Sequence, residues 1–314
     1  MLKKCRLAVL FALFGFSALA AAQTGNIYWT DEGTLKIQRA NLDGTGVQDL
    51  VTSGLTAPQG IALDIASGKM YWTNSPKVQR ANLDGTGVQD LVTGLADPFG
   101  IALDLVNGKM YWVDFSAHTI QRANLDGSGV QNLLPGGVSG PLGIALDVAG
   151  GKMYWTDFGT HKVQRANLDG TSVQDLVTGL MQPQGIALDV ANGKMYWTDN
   201  QAQKIQRANL DGTSVQDLVT GLGQPTAIAL DVVNGKMYWT DAGTLKIQRA
   251  NLDGSTVQDL VISGLGDPVS IAVTLAAAPL PPAAAVPTLS NVGLLACVLL
   301  LLGFGFRALL RRRA

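Results

Sequence analysis

Apolar and polar positions along the middle of the chain recur in one fixed order. The stretch from Pro183 shows it. Gly185-Ile186-Ala187-Leu188-Asp189 is followed by the turn Ala191-Asn192-Gly193-Lys194 and then by Met195-Tyr196-Trp197-Thr198-Asp199. After a variable loop come Lys204-Ile205-Gln206-Arg207-Ala208-Asn209-Leu210, the turn Asp211-Gly212-Thr213, and Val215-Gln216-Asp217-Leu218-Val219. The runs are short and rich in β-branched and aromatic residues. Asn-Gly and Asp-Gly separate them, and these dipeptides favour hairpins because they tolerate positive φ. No helical apolar period of useful length appears among them. The pattern predicts a four-stranded antiparallel unit. Its innermost run is apolar on both faces, and Tyr196 and Trp197 point to opposite faces. Such a unit has to be covered on both sides.

The unit occurs six times. Its marker phrase reads Ile27-Tyr28-Trp29-Thr30-Asp31, Met70-Tyr71-Trp72-Thr73-Asn74, Met110-Tyr111-Trp112-Val113-Asp114, Met153-Tyr154-Trp155-Thr156-Asp157, Met195-Tyr196-Trp197-Thr198-Asp199 and Met237-Tyr238-Trp239-Thr240-Asp241. All six Trp residues (Trp29, Trp72, Trp112, Trp155, Trp197, Trp239) sit in it, at intervals of 43, 40, 43, 42 and 42 residues. A period of that size means one supersecondary unit repeated in an array or a ring. The first copy lacks its own inner strand, and an orphan run, Pro268 to Thr274, follows the last copy. Residues 269–274 are expected to supply the missing strand and close the ring. This predicts an all-β, six-bladed β-propeller with no long free edge. An open solenoid would leave the orphan unexplained.

The Tyr-Trp-Thr-Asp phrase, preceded by Gly-Ile-Ala-Leu-Asp and followed by Ile-Gln-Arg-Ala-Asn-Leu-Asp-Gly, resembles the class B (YWTD) repeats of the low-density lipoprotein receptor family. The resemblance covers roughly residues 26–274. It implies a six-bladed propeller used as an extracellular protein-binding module, without enzymatic activity. Asn74 and Val113 depart from the phrase. The cysteine-rich and growth-factor-like modules that flank eukaryotic members are not in this sequence, which argues against an endocytic-receptor role.

Both ends change the picture. Residues 1–22 have the order of a secretory signal peptide: Lys3, Lys4 and Arg6, an apolar run from Leu7 to Leu19, then Ala20-Ala21-Ala22. The propeller is expected over residues 23–275 and an Ala/Pro-rich linker over 276–285. Residues 286–314 hold Val286-Pro287-Thr288-Leu289-Ser290, an apolar run from Val292 to Phe306, and Arg311-Arg312-Arg313. Extended through Leu310, with Arg307 reaching out to the interface, the run is long enough for one membrane helix. The plain reading is a stop-transfer anchor. The order of motif, apolar helix and arginine cluster also resembles the IPTL-CTERM signals of Gram-negative bacteria, relatives of PEP-CTERM. That resemblance implies trimming by an exosortase-type membrane transpeptidase, after a signal peptidase has acted at the other end. The expected location is the cell surface or extracellular matrix, with a transient membrane anchor.

Charge and cysteine usage agree with export. Cys5 lies in the signal-peptide segment and Cys297 in the C-terminal apolar run, so the propeller holds no cysteine. A core of this size needs no disulfide. All 24 acidic residues fall between Asp31 and Asp267, against 16 of the 23 basic ones, which gives the propeller a charge of −8. No basic patch is present to neutralise phosphates, so nucleic acid is not an expected partner.

Candidate chemistry has to be read through the symmetry. Asp64, Asp104, Asp147, Asp189 and Asp231 end inner strands, and Asp31, Asp114, Asp157, Asp199 and Asp241 end second strands. Calcium needs several oxygens converging on one point, whereas repetition puts these carboxylates in separate blades. They are expected to cap turns or to pair with the repeated Arg39, Arg80, Arg122, Arg165, Arg207 and Arg249; no metal or other cofactor is expected. Specific function belongs to the non-repeated residues. The loops entering the inner strands and the loops after the marker phrase open on one face. They carry Gln59, Phe99, Leu142, Gln184, Thr226 and Val269, and Glu32, Ser75, Phe115, His118, Phe158, His161, Asn200 and Gln201. A His118–His161–Glu32 acid/base site is conceivable, but no nucleophile or metal motif supports it, and no catalytic residue is assigned. The set suits binding better. Phe99, Phe115, Leu142 and Phe158 are expected to cluster on blades two to four beside His118 and His161, with Gln59 and Gln184 flanking, unless the Phe rings tuck into the channel wall. Exposed aromatic groups beside polar ones make anchor points for a partner. The sequence thus predicts a surface binding or scaffold module for an extracellular protein or glycan. A propeller hydrolase or lactonase, and a structural coat protein with no specific ligand, are the alternatives.

Overall fold

The computed structural model describes residues 25–134 and 138–275. The signal-peptide, linker and sorting-signal expectations, including the C-terminal membrane helix, lie outside the described residues. Among the described residues no helix is long and apolar enough to cross a membrane. Every regular element there is a strand, from β1 (Gly25–Asp31) to β24 (Pro268–Leu275), and the strands form six separate four-stranded sheets. Five sheets are consecutive in sequence. The sixth joins β24 to β1 and the two strands that follow it. β24 pairs antiparallel with β1 from Gly25↔Leu275 to Asp31↔Pro268, so the orphan run closes the ring as the sequence predicts. Blades are numbered here from the one containing Trp29.

The core lies between blades. Tyr28, Ile37, Val51 and Leu55 of blade one pack with Ile61, Met70, Trp72 and Ala81 of blade two. The same exchange recurs at the other seams, ending with Tyr238, Ile247 and Val261 of blade six against Ile27, Trp29, Ala40 and Leu42 of blade one. Tyr and Trp of each phrase serve opposite seams because successive side chains alternate across a strand. All six Trp side chains are fully buried. Each indole N–H donates to a third-strand glutamine, as in Trp197 to Gln206 Oε1 at 3.0 Å, which removes the cost of burying a free donor. In five blades the glutamine donates onward to an outer-strand Asp that also meets a Lys, as in Gln206, Asp217 and Lys204. Blade three has Thr119 and Asn132 at the Lys and Asp positions, and its outer strand shortens to Gln131–Asn132.

Two bonds tie each blade to the next, except that blade three, with Val113, lacks the first. Near the axis the marker threonine accepts an N–H from its own inner strand and donates to a carbonyl of the following blade. Thr198 Oγ1 takes the Gly185 N–H at 2.9 Å and donates to Thr226 O at 2.7 Å. Farther out, the repeated arginine donates to the Asp-Gly turn of the following blade, as in Arg165 Nη1 to Leu210 O at 3.1 Å. Arg249 to Leu42 O, also 3.1 Å, repeats this across the closure. The expected arginine–aspartate pairing is corrected here. The guanidinium groups meet outer-strand glutamines, as in Arg165 Nη2 to Gln174 Oε1 at 2.6 Å. They also lie over tyrosine rings, as in Arg165 over Tyr154 at 5.7 Å. In the register Tyr154 faces Arg165 while Asp157 faces Lys162, so arginine and aspartate are three residues, about 10 Å, apart along the strands.

The marker aspartates instead cap loops, the other half of the expectation. Asp199, 1% exposed, accepts the N–H groups of Met181, Gln182 and Ala202 at 2.9, 2.9 and 3.1 Å. Asn74 does part of this in blade two: its Oδ1 accepts from Thr56 and Ala57, and its Nδ2 donates to Gly54 O and to Gln79. Asp199→Ala leaves three backbone donors short of an acceptor and should destabilise the fold by about 3 kcal/mol or more. Asp199→Asn, which imitates blade two, should cost less than half of that. Equal losses in chemical denaturation would show that the acceptor oxygen is not what holds these loops.

Candidate functional site

One end of the ring is built from loops whose backbones are fixed and whose side chains differ. Each inner strand from blade two to blade six opens with a register shift just after its proline, as between Pro98 and Ile101. The shift takes the second and third residues out of the ladder and aims them at the axis. Gln59, Phe99, Leu142, Gln184, Thr226 and Val269 thereby line a cavity of about 90 Å³ at the channel mouth. The third residue has to be small, since neighbouring inner strands almost touch there. A Cβ on Gly100 would sit 2.6 Å from Leu142 O.

The phenylalanines form a continuous stripe. Ring centroids are 5.6 Å apart for Phe99–Phe115, 6.3 Å for Phe115–Phe158 and 6.1 Å for Phe158–His161. These are contact distances for aromatic pairs. Phe99 and Phe115 belong to blade three, and Leu142, Phe158 and His161 to blade four, so the cluster covers one seam and does not extend onto blade two. All three Phe side chains are half-buried. They are neither free in solvent nor lost in the wall. The loops under them are pinned: Asp114 accepts from Ala96, Asp97 and Ala117, and Asp157 from Ser139 and Thr160. His118 and His161 are exposed and close their turns at φ of 54° and 60°. His161 Nδ1 lies 2.9 Å from Met181 O.

The stripe crosses the one seam without a threonine tie. Val113, fully buried, replaces Thr there. Gly100 N–H and Leu142 O therefore lack the hydroxyl that serves Gly60 N–H and Phe99 O one blade earlier. Phe115 instead packs across the seam, within 3.2 Å of where a Cβ on Gly140 would lie.

On the side of blade one the mouth carries the carboxyls of Glu32 and Asp267. Gln59, 5% exposed, donates through Nε2 to Glu32 at 2.7 Å, and its side-chain oxygen Oε1 is buried without a partner. Burial pushes the Glu32 carboxyl up, against the Gln59 bond that lowers it, and Asp267 and Asp97 push it further. Asp97 and Asp267 are themselves raised, by burial first and then by Asp114 and Asp31. Glu32 engages Gln59, and His161 engages Phe158 and Met181, so the conceivable His–His–Glu set is not drawn together by these contacts. Among the described residues no group of three His, Cys, Asp or Glu side chains is placed to hold a metal. Three amide residues on this face, Gln182, Gln203 and Gln224, were not legible as a site. They come together with Asn200 and Gln201 only through the packing of blades five and six.

Five segments, residues 25–65, 108–148, 151–190, 193–232 and 235–273, match the low-density lipoprotein receptor repeat class B and together span more than half of the chain. Nidogen of Drosophila melanogaster is 40% identical over 53 residues, 17% of this chain and 4% of nidogen. The low-density lipoprotein receptor-related protein 5-like protein of Homo sapiens is 39% identical over 51 residues, 16% of this chain and 20% of that one. The matches thus span a small share of these relatives' own lengths. A chain in the crystal structure of the nidogen/laminin complex superposes with a TM-score of 0.74 at 25% identity, over 80% of this chain and 98% of that one. Streptogramin B lyase superposes with a TM-score of 0.60 at 20% identity, over 79% and 83%, a likeness that shows the fold alone.

Restoring the missing tie tests the seam. Val113→Thr places a hydroxyl between Gly100 N–H and Leu142 O and should stabilise the propeller by about 1 kcal/mol. Denaturant titration showing no gain would mean that the aromatic packing already closes this seam and leaves no room for the bond.

Proposed function

Because this chain belongs to the low-density lipoprotein receptor repeat class B family, we propose that it is an exported, non-enzymatic binding module of a Gram-negative cell surface. The observation that carries the reading is the asymmetry of the mouth. The blades share their strand order, their arginine ties and their capped loops, yet the mouth loops place Phe99, Phe115, Phe158 and His161 in one half-exposed stripe. A fold that needed only to close would have no use for this difference. Rigid aromatic anchors bordered by polar groups suit a partner surface. The presence of a related propeller in a nidogen/laminin complex supports binding as the use of the fold. Gln59 and Gln184 flank the stripe at the channel mouth, Leu142 lies between them, and His118 stands on the outer loop of blade three.

The remaining parts of the chain fit delivery. Residues 1–22 act as a signal peptide removed by a signal peptidase, residues 23–275 are the propeller, and 276–285 are the linker. Residues 286–314, with the motif Val286, Pro287, Thr288, Leu289 and Ser290, are the signal for an exosortase-type transpeptidase. The membrane helix within them holds the protein until processing. The ligand is an extracellular protein or glycan.

Substituting Phe99, Phe115 and Phe158 by Ser should reduce capture of a ligand from native envelope and matrix extracts at least ten-fold while the Trp fluorescence stays native. Undiminished capture by the folded variant would remove the stripe as the binding site. Mass spectrometry of the surface-exposed protein should find residues 286–314 trimmed. An intact tail there would make the segment a plain anchor.

A further inference from the structure

Beside the aromatic stripe the mouth changes character. A groove of about 380 Å³ is lined by Phe158, Gln182, Asn200, Gln201, Gln203, Gly223 and Gln224. Five of these side chains are neutral amides and none is charged. The repeat does not require them. Where blade five has Asn200, the other blades carry Glu32, Ser75, Phe115, Phe158 and Ala242. Where the loop into blade five has Gln182, the others carry Ala57, Asp97, Gly140, Gln224 and Asp267. The backbones beneath the amides are fixed. Gln182 N–H and Gln224 N–H donate to Asp199 and Asp241 at 2.9 Å, and Asn200 N–H donates to Gln182 O at 2.9 Å. Among the described residues the five amide side chains have no hydrogen-bond partner. Each therefore offers two donors and one acceptor, carried on a preorganised frame.

That chemistry selects a ligand class. An apolar ligand would leave five amides unpaired, which is costly. An anionic ligand would find no cation in the groove. A sugar hydroxyl both donates and accepts, as an amide does, and the Phe158 ring at the groove edge offers a flat apolar face to the C–H side of a sugar ring. One way to grip an extended peptide is along a free strand edge, and at this face the strands end in loops. The volume lies in the range of about 300–1,000 Å³ usual for ligand sites. We infer that the groove binds a neutral polysaccharide, an inference that rests on the mouth being the binding face.

The full chain, held in a polyoxyethylene detergent that carries no sugar, is titrated calorimetrically with maltohexaose, cellohexaose and chitohexaose. An alginate hexamer and an uncharged Gly-Ser decapeptide are the controls. At least one neutral hexasaccharide should bind, and the Gln201→Ala/Gln224→Ala variant should weaken it at least ten-fold. Both residues are exposed, so the fold is retained, and Trp fluorescence verifies this. Phe158→Ala should weaken binding in the same way. The inference fails if none of the three sugars binds, if the double variant binds as the parent does, or if the alginate or the peptide binds as tightly. Phe99→Ser, outside the groove, separates this from the broader reading. Extract capture lost with Phe99→Ser but kept by the amide variant would leave the mouth as the binding face and discard the sugar.

Discussion

A blade of this chain has two apolar faces, so the protein depends on the bonds and packing that join each blade to the next. Most of the burial happens at these seams. Trp of one blade and Tyr of its neighbour enter the same cluster, and no blade holds a core of its own. A single blade released from the ring would expose both faces, and a pair would still expose two. Closure is therefore a condition of the fold. It is also its most non-local step, since Arg249 reaches Leu42 and β24 pairs with β1 across nearly the whole described chain. Bringing such distant segments together carries a loop-closure cost in entropy, and the seam bonds are repaid only when the ring is complete.

Within that constraint, stability and specificity are carried by different atoms. The marker aspartates hold the mouth loops by backbone N–H groups alone. A loop fixed in this way does not depend on its own side chains, so those are free to differ from blade to blade. Blade three uses this freedom most. It has lost the threonine tie at Val113 and the Lys–Asp pair at Thr119 and Asn132, and it carries Phe99 and Phe115. Aromatic contact across the seam to Phe158 takes the place of the missing hydroxyl. The seam that lacks the threonine tie, while keeping the Arg122 bond to Leu168 O, is the one that presents the stripe.

The architecture was legible because it follows from local rules: period-two alternation, turn dipeptides, and one orphan strand matching one missing strand. What was not legible depended on position across the blade. The repeats show that Arg and Asp recur together, but not that the antiparallel register sets Asp157 opposite Lys162 and Arg165 opposite Tyr154. The threonine ties were hidden for a similar reason, because Thr198 reaches a carbonyl 28 residues away in the next blade. Phe99, Phe115 and Phe158 stood out as departures from the repeat, though their contact distances and their single seam did not. Gln201 and Asn200 stood out one at a time. Gln182, Gln203 and Gln224 did not, because only the seam between blades five and six gathers them.

Placement of the chain ends adds a final constraint. Gly25 pairs with Leu275 at the end of the ring away from the mouth, while Asp31 and Pro268 pair at the mouth itself. Leu275 thus lies on the face opposite the aromatic stripe and the amide groove. The turn aspartates on that opposite face, Asp43, Asp84, Asp126, Asp169, Asp211 and Asp253, are held below the usual carboxylate range by the hydroxyl, then the backbone N–H, two residues on. That face thus keeps a repeated, evenly spaced charge. The mouth sets an aromatic sector beside an amide one, and only a surface with distinguishable sectors can select one partner in one orientation.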